Sequence, residues 1–441
     1  MASLYEQHLS TLQQRSERAL EQCGSDYLLI ASGHTERQFL DDYHFPFKPN
    51  PHFAQWVPLS DKQNCWILVR PNQKPALFFY QPSDFWHLIE PLPEAEWTHC
   101  FDVTVFDDNK ILDAELSTLT GNGAVISPPK AGEGFWGCQL NPSELLNHLH
   151  FERAYKTEWE QQNLRQANQI AVLGHEAARE AFFAGKSEYQ IHQAYLSATQ
   201  QCEKHLPYGN IVALNDHGAV LHYQYQSTQP PLKLKPLSLL IDAGATYQGY
   251  AADITRTWTH EETLFSDMVY AVDQAQLSLI AEIQDGVGYV ALHDRMRLKL
   301  ARILTDFGVV TLDAEAQLET GIIGTFFPHG LGHLLGLQVH DIGGFQQDTS
   351  GQTQAAPAHS PALRLTRTLA TDMVITIEPG LYFIDSLLSE LSNSPQAKYI
   401  DWTLLDELRP YGGIRIEDNV LVTSQGSENF TRDAFAKIET V

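Results

Sequence analysis

The sequence predicts a smaller N-terminal α/β domain over residues 1–155 and an α+β domain over residues 156–441. Three observations point there. The chain has 441 residues, more than the roughly 250–300 over which one hydrophobic core keeps growing. Its hydrophobic pattern changes near residue 150, from short apolar runs between Pro and polar segments to helical spacing. In the second part helices and strands come in blocks rather than in strict βαβ alternation, which favours α+β.

Each element has its own signal. Tyr27-Leu28-Leu29-Ile30, Trp66-Ile67-Leu68-Val69 and Ala76-Leu77-Phe78-Phe79-Tyr80 read as strands of the first domain. From Thr157, apolar or small residues at Leu164, Ala167, Ala171, Gly174, Ala178 and Ala181 recur at the three-and-four spacing of an amphipathic helix. Thr157 with Glu160 opens it as a capping box and Gly185 stops it; Ser187 with Gln190 opens a second helix the same way. The run Leu239 to Asp242, a turn through Ala243-Gly244-Ala245, and Tyr247 to Trp258 read as a hairpin. Helical patterns follow over Ser266 to Ile283 and Tyr289 to Leu304. Strands return at Val374 to Glu378 and, as one continuous strand, at Gly413 to Val420.

Composition excludes several classes of function. Hydrophobic residues make up 43% and charged residues 19%, without Gly/Ser-rich or Pro-rich tracts, so disorder is confined to termini and loop tips. Twenty-nine Lys and Arg against 54 Asp and Glu leave a formal charge of −25, which repels nucleic-acid phosphates and anionic membranes alike. No stretch approaches 18 consecutive apolar residues, and Met1 to Gln22 carries Glu6, Arg15, Glu17 and Arg18, unlike a signal peptide. Cys23, Cys65, Cys100, Cys138 and Cys202 form no C-x-x-C pair, and a cytoplasmic location is the simplest expectation.

The candidate chemistry lies in the second part. Asp242 closes an apolar strand before a glycine-containing turn and Asp253 sits on the returning segment, so a hairpin brings both carboxylates to one side; acidic residues there also serve as turn formers. In Phe327-Pro328-His329-Gly330-Leu331-Gly332-His333, two imidazoles stand four residues apart among glycines that let backbone approach closely. His340 follows. Glu378 ends an apolar strand before Pro379-Gly380, and Glu417 shares a strand face with Arg415, where a structural ion pair is the plain alternative. Two Asp, two Glu and one His carry the charge that balances two divalent cations, and an oxygen-rich, thiolate-free set suits manganese, cobalt or zinc. Two such ions can hold a water as hydroxide while polarising a carbonyl or phosphoryl oxygen, which implies hydrolysis.

With Ile241-Asp242-Ala243-Gly244-Ala245, Ala252-Asp253-Ile254-Thr255-Arg256-Thr257, His329 to His333, Thr376-Ile377-Glu378-Pro379-Gly380 and Gly413 to Asp418 in that order, the chain resembles the metal-dependent prolidases of the pita-bread peptidase group, most closely bacterial members also called organophosphorus acid anhydrolases. The resemblance implies a pita-bread catalytic domain and an Xaa-Pro dipeptidase with two divalent metals, usually Mn2+. Asp242 would hold one metal, Asp253 and Glu417 bridge both, and His333 and Glu378 hold the other. Glu378 would also steer or deprotonate the attacking water, and His329 and His340 would stabilise charge on the attacked oxygen. Arg415 would orient the carboxylates, Arg367 bind the substrate's free carboxylate, and Tyr208, His222 and Tyr289 line the pocket. Asp42 and Trp86 would reach a neighbouring subunit's site, which implies a homodimer. Leu365 departs from the family's Cys. The same likeness raises organophosphate triester (P–F) hydrolysis as a secondary activity, with aminopeptidase P as the rival reading; a metal-free binding module or creatinase-like hydrolase fits the intact ligand set less well.

Overall fold

A computed structural model describes residues 2–128, 135–230 and 235–439. It divides into two compact units, one of Met1–Arg153 with Thr157–Glu160 and Gln347–Gln352, the other of Ala154–Lys156, Gln161–Gln346 and Thr353–Val441.

The first unit is a mixed α/β layer. It comprises α1 (Leu4–Cys23), β1 (Tyr27–Ala31), α2 (Pro51–Trp56), β2 (Trp66–Val69), β3 (Ala76–Tyr80), β4 (Asp102–Phe106), α3 (Asn109–Leu116), β5 (Gly123–Ile126), β6 (Gln139–Leu140) and α4 (Ser143–Arg153). The strands form one sheet in the order β4-β3-β2-β1-β5-β6. Its central strands are buried on both faces, which is why they read as unbroken apolar runs rather than alternating ones. Ser3 and Glu6 cap α1 reciprocally, so the charged start of the chain is an amphipathic helix.

The second unit takes in α5 (Glu158–Phe183) from Gln161 onward and α6 (Glu188–Thr199). Thr157 and Glu160 exchange backbone-to-side-chain hydrogen bonds of 2.8 and 3.4 Å at the head of α5, and Ser187 with Gln190 repeats the device on α6. Gly185, at φ +71°, takes the left-handed conformation that ends α5. There follow β7 (Ile211–Leu214), β8 (Ser238–Asp242), β9 (Thr246–Tyr247), β10 (Tyr250–Ala251), β11 (Thr255–Thr259), α7 (Leu264–Ile280), α8 (Tyr289–Asp306), α9 (Ala314–Thr320), α10 (Ile323–Phe326), β12 (Val374–Ile377), β13 (Gly380–Tyr382), α11 (Asp385–Ser392), α12 (Trp402–Leu408), β14 (Gly413–Arg415), β15 (Asp418–Thr423), β16 (Gly426–Asn429) and α13 (Phe430–Glu439). Three small sheets result, β11-β8-β7, β12-β15-β16 and β13-β14, beside the short β9-β10 ribbon.

The expected hairpin is present, with Thr255 opposite Asp242, and the β9-β10 ribbon fills its connection. The expected single strand over Gly413 to Val420 is instead two. β14 pairs with β13 and β15 with β12, and the chain changes sheets at Ile416-Glu417. Pro379 forces the matching break between β12 and β13, since it has no N–H to give the ladder. Among the described residues no helix is long and apolar enough to cross a membrane.

Candidate metal centre

The breaks in the sheets are where the acidic side chains gather. Asp242 ends β8, and Asp253 follows the ribbon on the return toward β11. Glu378 fills the gap between β12 and β13. Glu417 fills the gap between β14 and β15, its N–H donating to the Thr255 carbonyl at 3.0 Å. His333 comes from a segment running along β12: the Thr376 N–H donates to the His333 carbonyl at 2.9 Å, and the Glu378 N–H to the Leu331 carbonyl at 2.8 Å. Gly332 is obligatory there, because a Cβ would lie 2.2 Å from the Thr376 carbonyl oxygen and 2.5 Å from the Tyr289 hydroxyl.

All five side chains expected as ligands line one cleft of about 260 Å³. Asp253, His333 and Glu417 each offer a ligand atom within 4.8 Å of the others. His333 Nε2 lies 3.4 Å from Asp253 and 3.7 Å from Glu378. The Tyr208 hydroxyl lies 2.7 Å from Asp242 and 2.6 Å from Asp253; one proton cannot serve two ionised carboxylates fully. Arg415 donates to Asp242 at 2.8 Å, so the Arg415–Glu417 ion pair open from sequence is not formed, and among the described residues no cation pairs with Glu417.

Titration follows from that crowding. Burial, joined by Asp253, Glu378 and Asp242, pushes Glu417 well above the usual carboxylate range. Burial raises Asp242 against the pull of Arg415, and lifts Glu378 to about 7. Burial also raises Asp253, but hydrogen bonds and charge from His333 outweigh it and its pKa falls. His333 is pulled down by burial and, more strongly, up by Asp253 and Glu378. A site that strains to keep its carboxylates protonated is one that divalent cations fit, since they would neutralise the cluster with the donor types present.

The imidazoles divide into two kinds. Arg415 Nη1 donates to the Tyr382 oxygen at 2.9 Å. A guanidinium cannot accept, so the Tyr382 proton goes to His329 Nε2 at 2.9 Å. His329 is then protonated on Nδ1, which donates to the Gly330 carbonyl at 2.8 Å and lies 3.7 Å from Glu378. Burial and Arg415 hold this ring neutral, with its pKa at about 3. Both nitrogens of His329 are thus committed within the protein. His222 and His340 line the cleft with no hydrogen bond among the described residues, and His340 packs edge-on against His333 at 4.4 Å. Desolvation and His333 lower His340 to about 4.

Tyr289 and Arg367 are not among the residues lining this cleft. Tyr289 is fully buried and donates to the Thr376 carbonyl at 2.8 Å, behind the centre rather than on the cleft. Arg367 is 2% exposed; it donates to the Tyr155 hydroxyl at 3.1 Å and stacks over that ring. Arg364, three residues earlier, lines the cleft together with Arg415; it carried no separate signal in the sequence because it shares one short motif with Arg367. Asp42 and Trp86 are exposed on the first unit, Trp86 at 78%.

Comparison with known proteins bears on this geometry directly. Residues 162–424 match metallopeptidase family M24. The chain belongs to this family. In this M24 chain residues 3–151 match the Xaa-Pro dipeptidase N-terminal domain. It is 46% identical over 434 residues to an Xaa-Pro dipeptidase of Shewanella baltica and 47% identical over 438 residues to one of Pseudoalteromonas translucida, each pairing covering 98% of both chains. Solved structures share the fold: Escherichia coli aminopeptidase P in a low-pH form (TM-score 0.72, 22% identity, 100% and 98% of the two chains) and proline aminopeptidase P II of Yersinia pestis (TM-score 0.69, 22% identity, 97% and 99%). The pita-bread architecture expected for the second unit of the M24 chain is that of these neighbours.

Proposed function

We propose that the protein is an Xaa-Pro dipeptidase, cleaving dipeptides with C-terminal proline. The observation that carries this reading is the end-to-end likeness, at 46–47% identity, to relatives of that name. The fit of the cleft to the task supports it. A bond to proline is a tertiary amide with no N–H for a protease to read, so activation has to come from the carbonyl side.

Asp242 would hold one divalent cation, His333 and Glu378 a second, with Asp253 and Glu417 between them; Mn2+ suits this oxygen-rich set. Such cations supply Lewis acidity toward the carbonyl oxygen and lower the pKa of water. The chain's own residues do the rest. Glu378, with a carboxylate of high proton affinity, takes the proton of the attacking water and passes it toward the leaving proline nitrogen. His329, fixed by Tyr382 and Gly330, keeps a neutral ring 3.7 Å from Glu378 and bounds the space in which that carboxylate can turn. His222 and His340, with uncommitted nitrogens, donate to the oxygen as it gains charge. Arg415 and Tyr208 hold Asp242 and Asp253 in place. Arg364 receives the substrate's free carboxylate in the role sequence reasoning gave Arg367.

The first unit, with Asp42 and Trp86 exposed, serves as the contact of a homodimer; sedimentation equilibrium tests the assembly. A phosphorus triester resembles the tetrahedral stage of amide cleavage in shape, so P–F hydrolysis is a secondary activity of the same centre. Absence of fluoride release from diisopropyl fluorophosphate by Mn2+-loaded enzyme would remove it. The main test is Gly-Pro and Leu-Pro hydrolysis by protein stripped with chelator and reloaded with Mn2+. Activity lost on stripping and regained on loading supports the reading. Intact dipeptides in the presence of bound metal would sink it.

A further inference from the structure

The wall of the cleft that carries Leu221 and His222 belongs to a stretch without regular strand or α-helix, following the short 3-10 turn Asn215–Ala219. Gln224 Nε2 donates to the Gly209 carbonyl at 2.8 Å and Asn215 accepts from the Leu237 N–H at 2.6 Å, but the side chain that gathers both arms of this stretch is Glu188, the first residue of α6. Glu188 is 1% exposed, and its two oxygens accept four hydrogen bonds. Oε1 accepts from the Leu214 N–H at 2.9 Å and from His217 Nδ1 at 2.6 Å. Oε2 accepts from the Tyr223 hydroxyl at 2.8 Å and from the Ser227 N–H at 2.7 Å. The donors bracket His222 on both sides in sequence. The His217 and Tyr223 rings stack on each other at 4.5 Å, 21° from parallel, which closes the bracket above the carboxylate.

A buried carboxylate is costly unless its oxygens are satisfied, and here they are satisfied by donors from the ends of one loop. Backbone pairing contributes little: the Val220 N–H reaches only the His217 carbonyl within the turn, and the Ser227 carbonyl accepts from the Tyr189 N–H beside Glu188 itself. Glu188 is therefore not spare acidity on a surface helix. We infer that Glu188 is a positioning residue, a four-bond clasp that fixes the loop from Asn215 to Ser227 so that His222 faces the reacting carbonyl. The inference rests on the dipeptidase reading for its consequence in catalysis, while the clasp itself does not.

Glu188→Gln tests it. An amide keeps the size but presents one oxygen, and its NH2 group opposes two of the four donors. Hydrogen exchange of peptides covering 219–227 should quicken by on the order of tenfold or more, as loss of two charge-assisted bonds implies, with metal content unchanged. The kcat/KM for Leu-Pro should fall by a similar factor in the wild-type background and by less than about twofold in a His222→Ala background, because residues acting through one another are not additive. Tyr223→Phe, which removes one donor and leaves the carboxylate, should show the same pattern at smaller size and stands in if Glu188→Gln does not fold. Equal losses with and without His222, or unchanged exchange at 219–227, would overturn the clasp. Wild-type enzyme inert toward Leu-Pro would instead fell the dipeptidase reading, with the exchange arm still deciding the clasp.

Discussion

Raising the pH should destabilise the metal-free protein; Glu417 and Asp242, both raised, act in that direction, and the share carried by Glu378 can be isolated. Its pKa rises from 4.5 to about 7 on folding because the carboxyl is buried beside Asp253 and Asp242. Between these values the folded protein keeps a proton that the unfolded chain has released, so stability is lost as pH climbs through the window. The full difference corresponds to about 3 kcal/mol, or roughly 5–10 °C in the melting temperature of a domain of this size. His333, also raised, acts in the same direction above pH 6.5, whereas Asp253, lowered, contributes only below about pH 4. Chelator-stripped protein should therefore melt lower at pH 8 than at pH 5, and in Glu378→Gln that difference should shrink by the stated amount. Adding Mn2+ should reverse the trend, since ligands must be ionised to bind. An identical pH dependence in wild type and Glu378→Gln would refute the reasoning.

Three further outcomes follow from the same geometry. Tyr208→Phe removes the hydroxyl between Asp242 and Asp253 and should weaken metal affinity by roughly 10–100-fold, read by calorimetric titration. Gly332→Ala drives a methyl into the Thr376 carbonyl and should cost at least about 1–3 kcal/mol in a thermal melt while displacing His333 and lowering metal occupancy; a variant with wild-type melting and occupancy contradicts the close approach. Arg364→Gln should raise KM for Leu-Pro by roughly 10–100-fold, as loss of a charge-assisted pair implies, and leave the weaker turnover of Leu-Pro amide little changed. The same selective loss in Arg367→Gln and not in Arg364→Gln would return the carboxylate to Arg367.

How much of this was legible in the sequence depends on how local the cause was. Capping boxes at Thr157 and Ser187 and the αL stop at Gly185 are decided within a few residues, and they read correctly. So did the hairpin that sets Thr255 opposite Asp242. The split of Gly413 to Val420 was not readable, because Arg415 and Asp418 pair with different strands and only tertiary structure decides where a chain changes sheets. Asp102–Phe106 escaped notice since an edge strand, with only Phe106 fully buried, lacks the apolar run of its neighbours. The convergence of Asp242, Asp253, His333, Glu378 and Glu417 was expected from motif order, whereas tertiary packing alone decides that Arg364 lines the cleft while Arg367 rests on the Tyr155 ring. Glu188 carried no signal: one acid at a helix start looks like any other until its four donors are in place.

The scattering of the five acidic and imidazole groups over three separate sheets has a consequence for assembly. Asp242 and Asp253 are made early, His333 later, and Glu417 last among them. A growing chain that has reached α8 holds two of the five and can offer a cation only loose, partial coordination. On the proposed ligand set, tight capture would wait until β14 and β15 have docked against their separate partners, so metals would arrive as the last parts fitted and not as a template for folding. Protein made under metal starvation should then reach its fold and remain open to loading afterwards, and a chain cut before residue 413 should never acquire the centre at all.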